Sequence, residues 1–143
     1  MYQFKLANGD IQMEYDGSID KVTGADRIAQ DLACWLLEPM GTDAVYRRFG
    51  STLWSKIGEP IVGDKLAEIR SEVKRVVDNY IAYNQSQFKA ASKYSADYFA
   101  RSWGNDVMIT ELVGIDVSTV ADTVNVVVKL ATTGGTVTVN QTL

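Results

Sequence analysis

The sequence predicts an α+β protein with an N-terminal β-hairpin, central helices and a C-terminal antiparallel β-meander. Three observations carry that prediction. Apolar residues alternate with polar ones near both ends of the chain, and they recur at helical spacing in the middle. Asn8-Gly9 and Gly134-Gly135 lie between alternating runs, where tight turns need residues that tolerate positive φ. Strands and helices do not alternate along the chain, which argues against a doubly wound parallel sheet. At 143 residues the expected organisation is a single domain, 1–143.

In chain order, Tyr2, Phe4 and Leu6 alternate up to Asn8-Gly9, and Ile11, Met13 and Tyr15 alternate after it, so residues 2–15 read as a hairpin. Thr23 opens a capping pattern, with Asp26 placed to reach back. Ala25, Ile28, Ala29, Leu32, Leu36 and Leu37 then form one apolar helical face. Pro39 disfavours helix at the residue before it, so this helix ends by Glu38, and Gly41 reinforces the stop. Phe49, Leu53, Trp54 and Ile57 suggest a short helix with Ser51 as its cap, closed by Gly58 and Pro60. Asp64 is placed to cap the longest helix, whose stripe runs through Leu66, Ile69, Val73, Val76, Val77, Tyr80 and Ile81. Its other face carries Lys65, Glu68, Glu72, Lys74 and Arg75, and the like-charged Glu68 and Glu72 mark it as ordinary solvated surface.

Asn84-Gln85-Ser86-Gln87 dilutes the stripe before Phe88, Ala91, Tyr94, Tyr98 and Phe99 resume it toward Trp103. Either one helix spans 64–102, about 58 Å at 1.5 Å per residue, or two helices meet near residue 84. Gly104-Asn105 ends the helical half. Residues 107, 109, 113, 115 and 117 are Val or Ile with period two, and Glu111 interrupts that face. Val124, Val126, Val128 and Leu130 form the next strand, and Val137 and Val139 continue after the Gly134-Gly135 turn.

Composition narrows the chemistry. The net charge of −4 and a single adjacent basic pair, Arg47-Arg48, argue against a nucleic-acid surface. The chain has no His, which excludes Ser-His-Asp and Cys-His catalysis and His-ligated metals. Cys34 is the only cysteine and sits in an apolar helix, where it reads as a small buried hydrophobe. No signal-peptide pattern opens the sequence and no apolar run approaches the ~20 residues of a membrane helix, so a cytoplasm-like setting is expected. A glycosidase needs two carboxylates held at a fixed separation. Pairs such as Glu14 with Asp20 or Glu38 with Asp43 lie in no motif that fixes one. The Gly58–Gly63 run lacks the Lys-Ser/Thr of a phosphate loop. No catalytic group, cofactor or metal is expected.

Three features remain as candidate contact sites. Arg47-Arg48 followed by Phe49-Gly50 is a cationic and aromatic element suited to an acidic partner surface, or else a solvated charge pair on a loop. Glu111 on the buried parity of a strand needs a partner, unless a bulge turns it to water. The hairpin of Val124, Val126, Val128, Val137 and Val139 carries only Lys129 as a blocking charge. Its edge either accepts a strand from another chain or is covered by the N-terminal hairpin.

The stretch Asp26–Ile61 has a further meaning. Ile28, Leu32, Leu36 and Leu37 lead to Pro39 and Gly41, then to Tyr46, Phe49-Gly50-Ser51 and Leu53. This helix, break and aromatic-Gly-Ser-x-Leu order resembles the baseplate-wedge, sheath-initiator family of contractile phage tails. That family is often called tail lysozyme and has a counterpart in type VI secretion. The resemblance covers about residues 10–83 and 107–143. It implies a structural virion protein in several symmetric copies, bound to other wedge and hub proteins, which starts the sheath through a sheet like the strand-exchange domain of the sheath. The implied location is the tail baseplate, after assembly in the host cytoplasm. The rival readings are a peptidoglycan-cleaving enzyme and a tail-completion or adaptor protein. Where the family carries Glu-Pro-Arg, this chain reads Thr110-Glu111-Leu112-Val113, so only the Glu carries over. Residues 84–105 read as an added helical segment.

Overall fold

The computed structural model describes residues 3–8, 10–56, 58, 63–93, 107–120 and 123–143. The fold is α+β, with two helices lying on one face of a three-stranded antiparallel sheet. Small strand pairs at the N-terminus complete it.

The N-terminal segment is more folded back than a single hairpin. β2 (Leu6–Ala7) pairs with β3 (Asp10–Ile11) around Asn8, whose φ is 54°. β1 (Gln3–Phe4) pairs instead with β4 (Lys21–Val22), because a second reversal at residues 14–18 brings the chain back. Tyr2 and Gly9 of the expected hairpin lie outside the described residues.

Helix α1 (Gly24–Leu37) starts and stops where the sequence places it. Thr23 has extended geometry, but its side chain makes no capping bond. Glu38 turns extended at ψ 137°, as a residue before proline should. A single 3₁₀ turn, Leu53–Ser55, occupies the place of the expected short helix; Ile57 and Pro60 lie outside the described residues.

Helix α2 (Lys65–Ala91) has 27 residues, about 40 Å of helix. It runs through Asn84–Gln87 without a break, so the polar run does not divide it. Tyr94 to Asn105, including Tyr98, Phe99 and Trp103, and with them most of the 84–105 segment, lie outside the described residues.

β5 (Ile109–Val120), β6 (Thr123–Thr132) and β7 (Gly135–Thr142) form the sheet in that order. Val124, Val126, Val128 and Leu130 on β6, with Val137 and Val139 on β7, point to the helices and are buried with Ile28, Leu32, Val73 and Val77. Alternation decides the face of these strands, as expected. β5 departs from it. The register slips between Ile109 and Glu111 and again between Leu112 and Gly114. Each bulge shifts the parity by one residue. Leu112 therefore packs on the core, while Val113, expected inside, is 57% exposed.

Candidate functional site: one open sheet edge and an aromatic cavity

The two edges of the sheet have different fates. Val124 and Leu143 exchange both backbone bonds, at 3.1 and 2.8 Å. Bonded and non-bonded pairs alternate along an antiparallel ladder. On β7 the residues paired with Leu130, Val128 and Val126 thus bond inward, while the N–H and C=O of Thr136, Thr138, Asn140 and Thr142 point outward. Among the described residues, no strand pairs with that outer edge. The Thr142 carbonyl alone is occupied, by the amide of Gln141 at 2.9 Å. β7 is regular, free of charged residues and free of Pro, so neither a charge, a proline nor a bulge blocks its edge.

On β5 the same alternation turns Ile109 and Ile115 outward. Three of their four backbone groups are taken by helix α2. The Ile109 N–H donates to Asn84 Oδ1 at 3.0 Å, and Gln85 Nε2 donates to the Ile109 carbonyl at 3.0 Å. Arg70 Nη2 reaches the Ile115 carbonyl at 3.0 Å. These bonds and the two bulges obstruct the β5 edge from Ile109 to Ile115, and only the short regular run past Ile115 is left.

The residues singled out from sequence fall as follows. Val124, Val126 and Val128 lie on the central strand, and their side chains and those of Val137 and Val139 face the core. The valines therefore offer a partner no side chains, and any contact at this hairpin uses the backbone of β7 and its outward threonines. The N-terminal strands form separate small sheets and do not pair with β7. Glu111 does not occupy the buried parity; the first bulge places it exposed, opposite Ala131 on the face away from the helices. Arg47 and Arg48 are exposed in a turn closed by the Phe49 N–H on the Tyr46 carbonyl at 2.9 Å. No contact joins them to Glu111.

Phe49 and Gly50 also build the fold: Phe49 is half-buried and Gly50 buried. Phe49 meets Trp35 edge-on, 5.0 Å between ring centres. Gly50 is buried at φ +90°, where a Cβ would stand 2.5 Å from the Glu38 carbonyl oxygen. Only glycine permits that approach. It brings Ser51 onto the end of α1. Ser51 Oγ donates to the Leu36 carbonyl at 2.6 Å and accepts from the Leu53 N–H at 3.2 Å, while its own N–H donates to the Glu38 carbonyl at 2.7 Å. The Phe-Gly-Ser-x-Leu element is thus a clamp on a helix C-terminus.

Two further polar sites were not legible in advance. Glu72, read as solvated surface, accepts from the Thr52 N–H at 2.7 Å and from Arg75 at 2.7 and 2.8 Å, and Arg75 also reaches the Gly50 carbonyl at 3.2 Å. The Arg75 hydrogen bond, aided by Thr52 and opposed by burial, holds the Glu72 carboxyl down at about 2. Inside the helix layer, Arg27 Nη1 meets Asp31 Oδ2 at 3.0 Å, and the Tyr80 hydroxyl donates to the same oxygen at 3.1 Å.

That buried pair forms part of the wall of a cavity of about 280 Å³ between α1, α2 and the 43–49 loop. Trp35 is at its centre, with Tyr46, Phe49, Tyr80 and Tyr83 at 5.0–5.7 Å between ring centres. Cys34 lies partly exposed on its edge instead of fully inside the core. In the sequence Tyr80 reads as part of a helical stripe, Phe49 as a candidate contact and Tyr46 as part of the motif, and no local pattern joins them to Trp35 and Tyr83. Among the described residues, no group of three or more His, Cys, Asp or Glu is placed to hold a metal ion, and no helix is long and apolar enough to cross a membrane.

No protein-family model matches this chain, and no curated protein matches it significantly.

Proposed function

We propose that this protein is a structural component of a contractile-tail baseplate that receives a strand of a sheath subunit along the outer edge of β7. The observation that carries this reading is the asymmetry of the sheet. β5 is obstructed from Ile109 to Ile115 by its bulges and by Asn84, Gln85 and Arg70, whereas β7 presents the outward backbone of Thr136, Thr138, Asn140 and Thr142 over its whole length. An incoming strand recovers those bonds, and main-chain pairing supplies affinity in such additions. The helix, break and Phe49-Gly50-Ser51-x-Leu53 order supports the baseplate setting through its resemblance to the wedge family. The role is structural and not catalytic. Wedge and hub proteins are the proposed neighbours, in several symmetric copies. Exposed Arg47 and Arg48 are the proposed contact for acidic wedge surface, and exposed Glu111 is a contact on the opposite side of the sheet. The protein would act in the virion baseplate after assembly in the host cytoplasm.

A proline scan on β7 tests this. Thr138→Pro removes an outward N–H and leaves the β6 ladder intact, a substitution edge strands tolerate. Baseplates carrying it are expected to incorporate the protein but to start no sheath. Val139→Pro removes an inward donor and is expected to impair folding itself, seen by circular dichroism. Sheath assembly at the normal level on Thr138→Pro baseplates overturns the reading.

A further inference from the structure

We propose that the aromatic cavity between α1 and α2 receives the guanidinium of an arginine presented by a partner protein. The proposal rests on the lining of the cavity and is independent of the β7 edge.

Charge is the first reason. Of the ionised side chains that line the cavity, Arg27 and Asp31 neutralise each other at 3.0 Å, which leaves the carboxylate of Asp43. Asp43 is pre-positioned. Its Oδ1 accepts from the backbone N–H of Val45 at 2.8 Å and of Tyr46 at 2.6 Å, and this fixes the side chain at the cavity wall. Its Oδ2 has no hydrogen-bond partner among the described residues. A held carboxylate with a spare oxygen suits a charge-assisted bond from a cation.

The walls point to the same class of ligand. Tyr46, Phe49 and Tyr83, half-buried around the buried Trp35, are ring systems of the kind whose faces attract cations. Arginine is favoured over lysine because its planar group stacks on rings while its fork meets a carboxylate. Size agrees: about 280 Å³ is below the usual range for whole cofactors and suits a single side chain.

The test uses the full chain and two tripeptides, Gly-Arg-Gly and its neutral counterpart Gly-citrulline-Gly, titrated while the indole N–H resonance of Trp35 is followed by NMR. Gly-Arg-Gly is expected to shift that resonance saturably, and the citrulline peptide to bind about tenfold more weakly or worse, because it keeps the shape and loses the charge. Asp43→Asn retains an oxygen for Val45 and Tyr46, so its thermal midpoint should stay near that of the parent while arginine binding falls about tenfold. Equal binding of both peptides, undiminished binding by Asp43→Asn, or no shift at tens of millimolar peptide each overturns the proposal. Free arginine binding more tightly than the tripeptide overturns the protein-borne source and makes the cavity a small-molecule site.

Discussion

At the scale of single residues, the Asp26–Ile61 stretch owes its character to Gly50 and Ser51. Gly50 occupies left-handed backbone against the Glu38 carbonyl, so Gly50→Ala adds both a strained φ and a 2.5 Å clash with backbone. Conformational strain alone costs about 1–2 kcal/mol. The clash adds to it, and an expected loss of about 3 kcal/mol or more is measurable by urea unfolding. Glu72 is the second decisive residue. Its carboxyl is held at about 2 in the fold against an ordinary 4.5, so its contribution to stability is fully present above pH 4.5 and is lost as pH falls toward 2. Glu72→Gln should flatten the stability profile in that acid window while lowering stability at neutral pH. A profile as steep as the parent's would show that other carboxylates govern it. Neither residue's role is visible in local sequence. A Glu four residues from another Glu reads as surface until the Thr52 amide is seen to fold back on it.

At the scale of elements, the helices and the last two strands were legible and β5 was not. The apolar stripe of α1 and its Pro39 stop act locally, and the valines of β6 and β7 alternate without a fault, so pattern and structure coincide. β5 carries two single-residue bulges; Glu111 on the apolar parity hints at the first, and the alternation of Ile109–Val117 does not mark the second. Bulges answer to the neighbouring strand and to the helix above it, and those partners are distant in sequence. Asn84 is the clearest instance. Its run of polar residues dilutes the helical stripe, yet its side chain is buried and holds the Ile109 N–H, while Gln85 holds the carbonyl. Asn84→Leu should leave that N–H unsatisfied and cost about 1–3 kcal/mol. Hydrogen exchange at Ile109, rising well beyond the global change, would locate the damage at the β5 edge; unchanged exchange there would refute the assignment.

At the scale of the whole molecule, the α+β class was legible because its rules are general: helices show one apolar stripe and strands one apolar face. The candidate site was legible only in part. The β-hairpin was found, but its valines build the core and its outward backbone is what remains to be used. The cavity was missed because it is assembled from α1, the 43–49 loop and α2, which lie far apart in sequence, so no local pattern joins their aromatic residues.

The one-sided sheet has a further consequence for self-association. A molecule with two exposed edges can repeat the same contact without limit and lengthen into a fibre. Here the β5 side is held at Ile109 and at the Ile115 carbonyl by Asn84, Gln85 and Arg70, so a neighbour's β7 finds only the short run past Ile115 there. Two copies pair over the longest open stretch when they meet β7 to β7, a two-fold contact that uses up both long edges. Unequal edges thus favour an ending over a chain: the pairing that gains most bonds leaves little edge for a third copy.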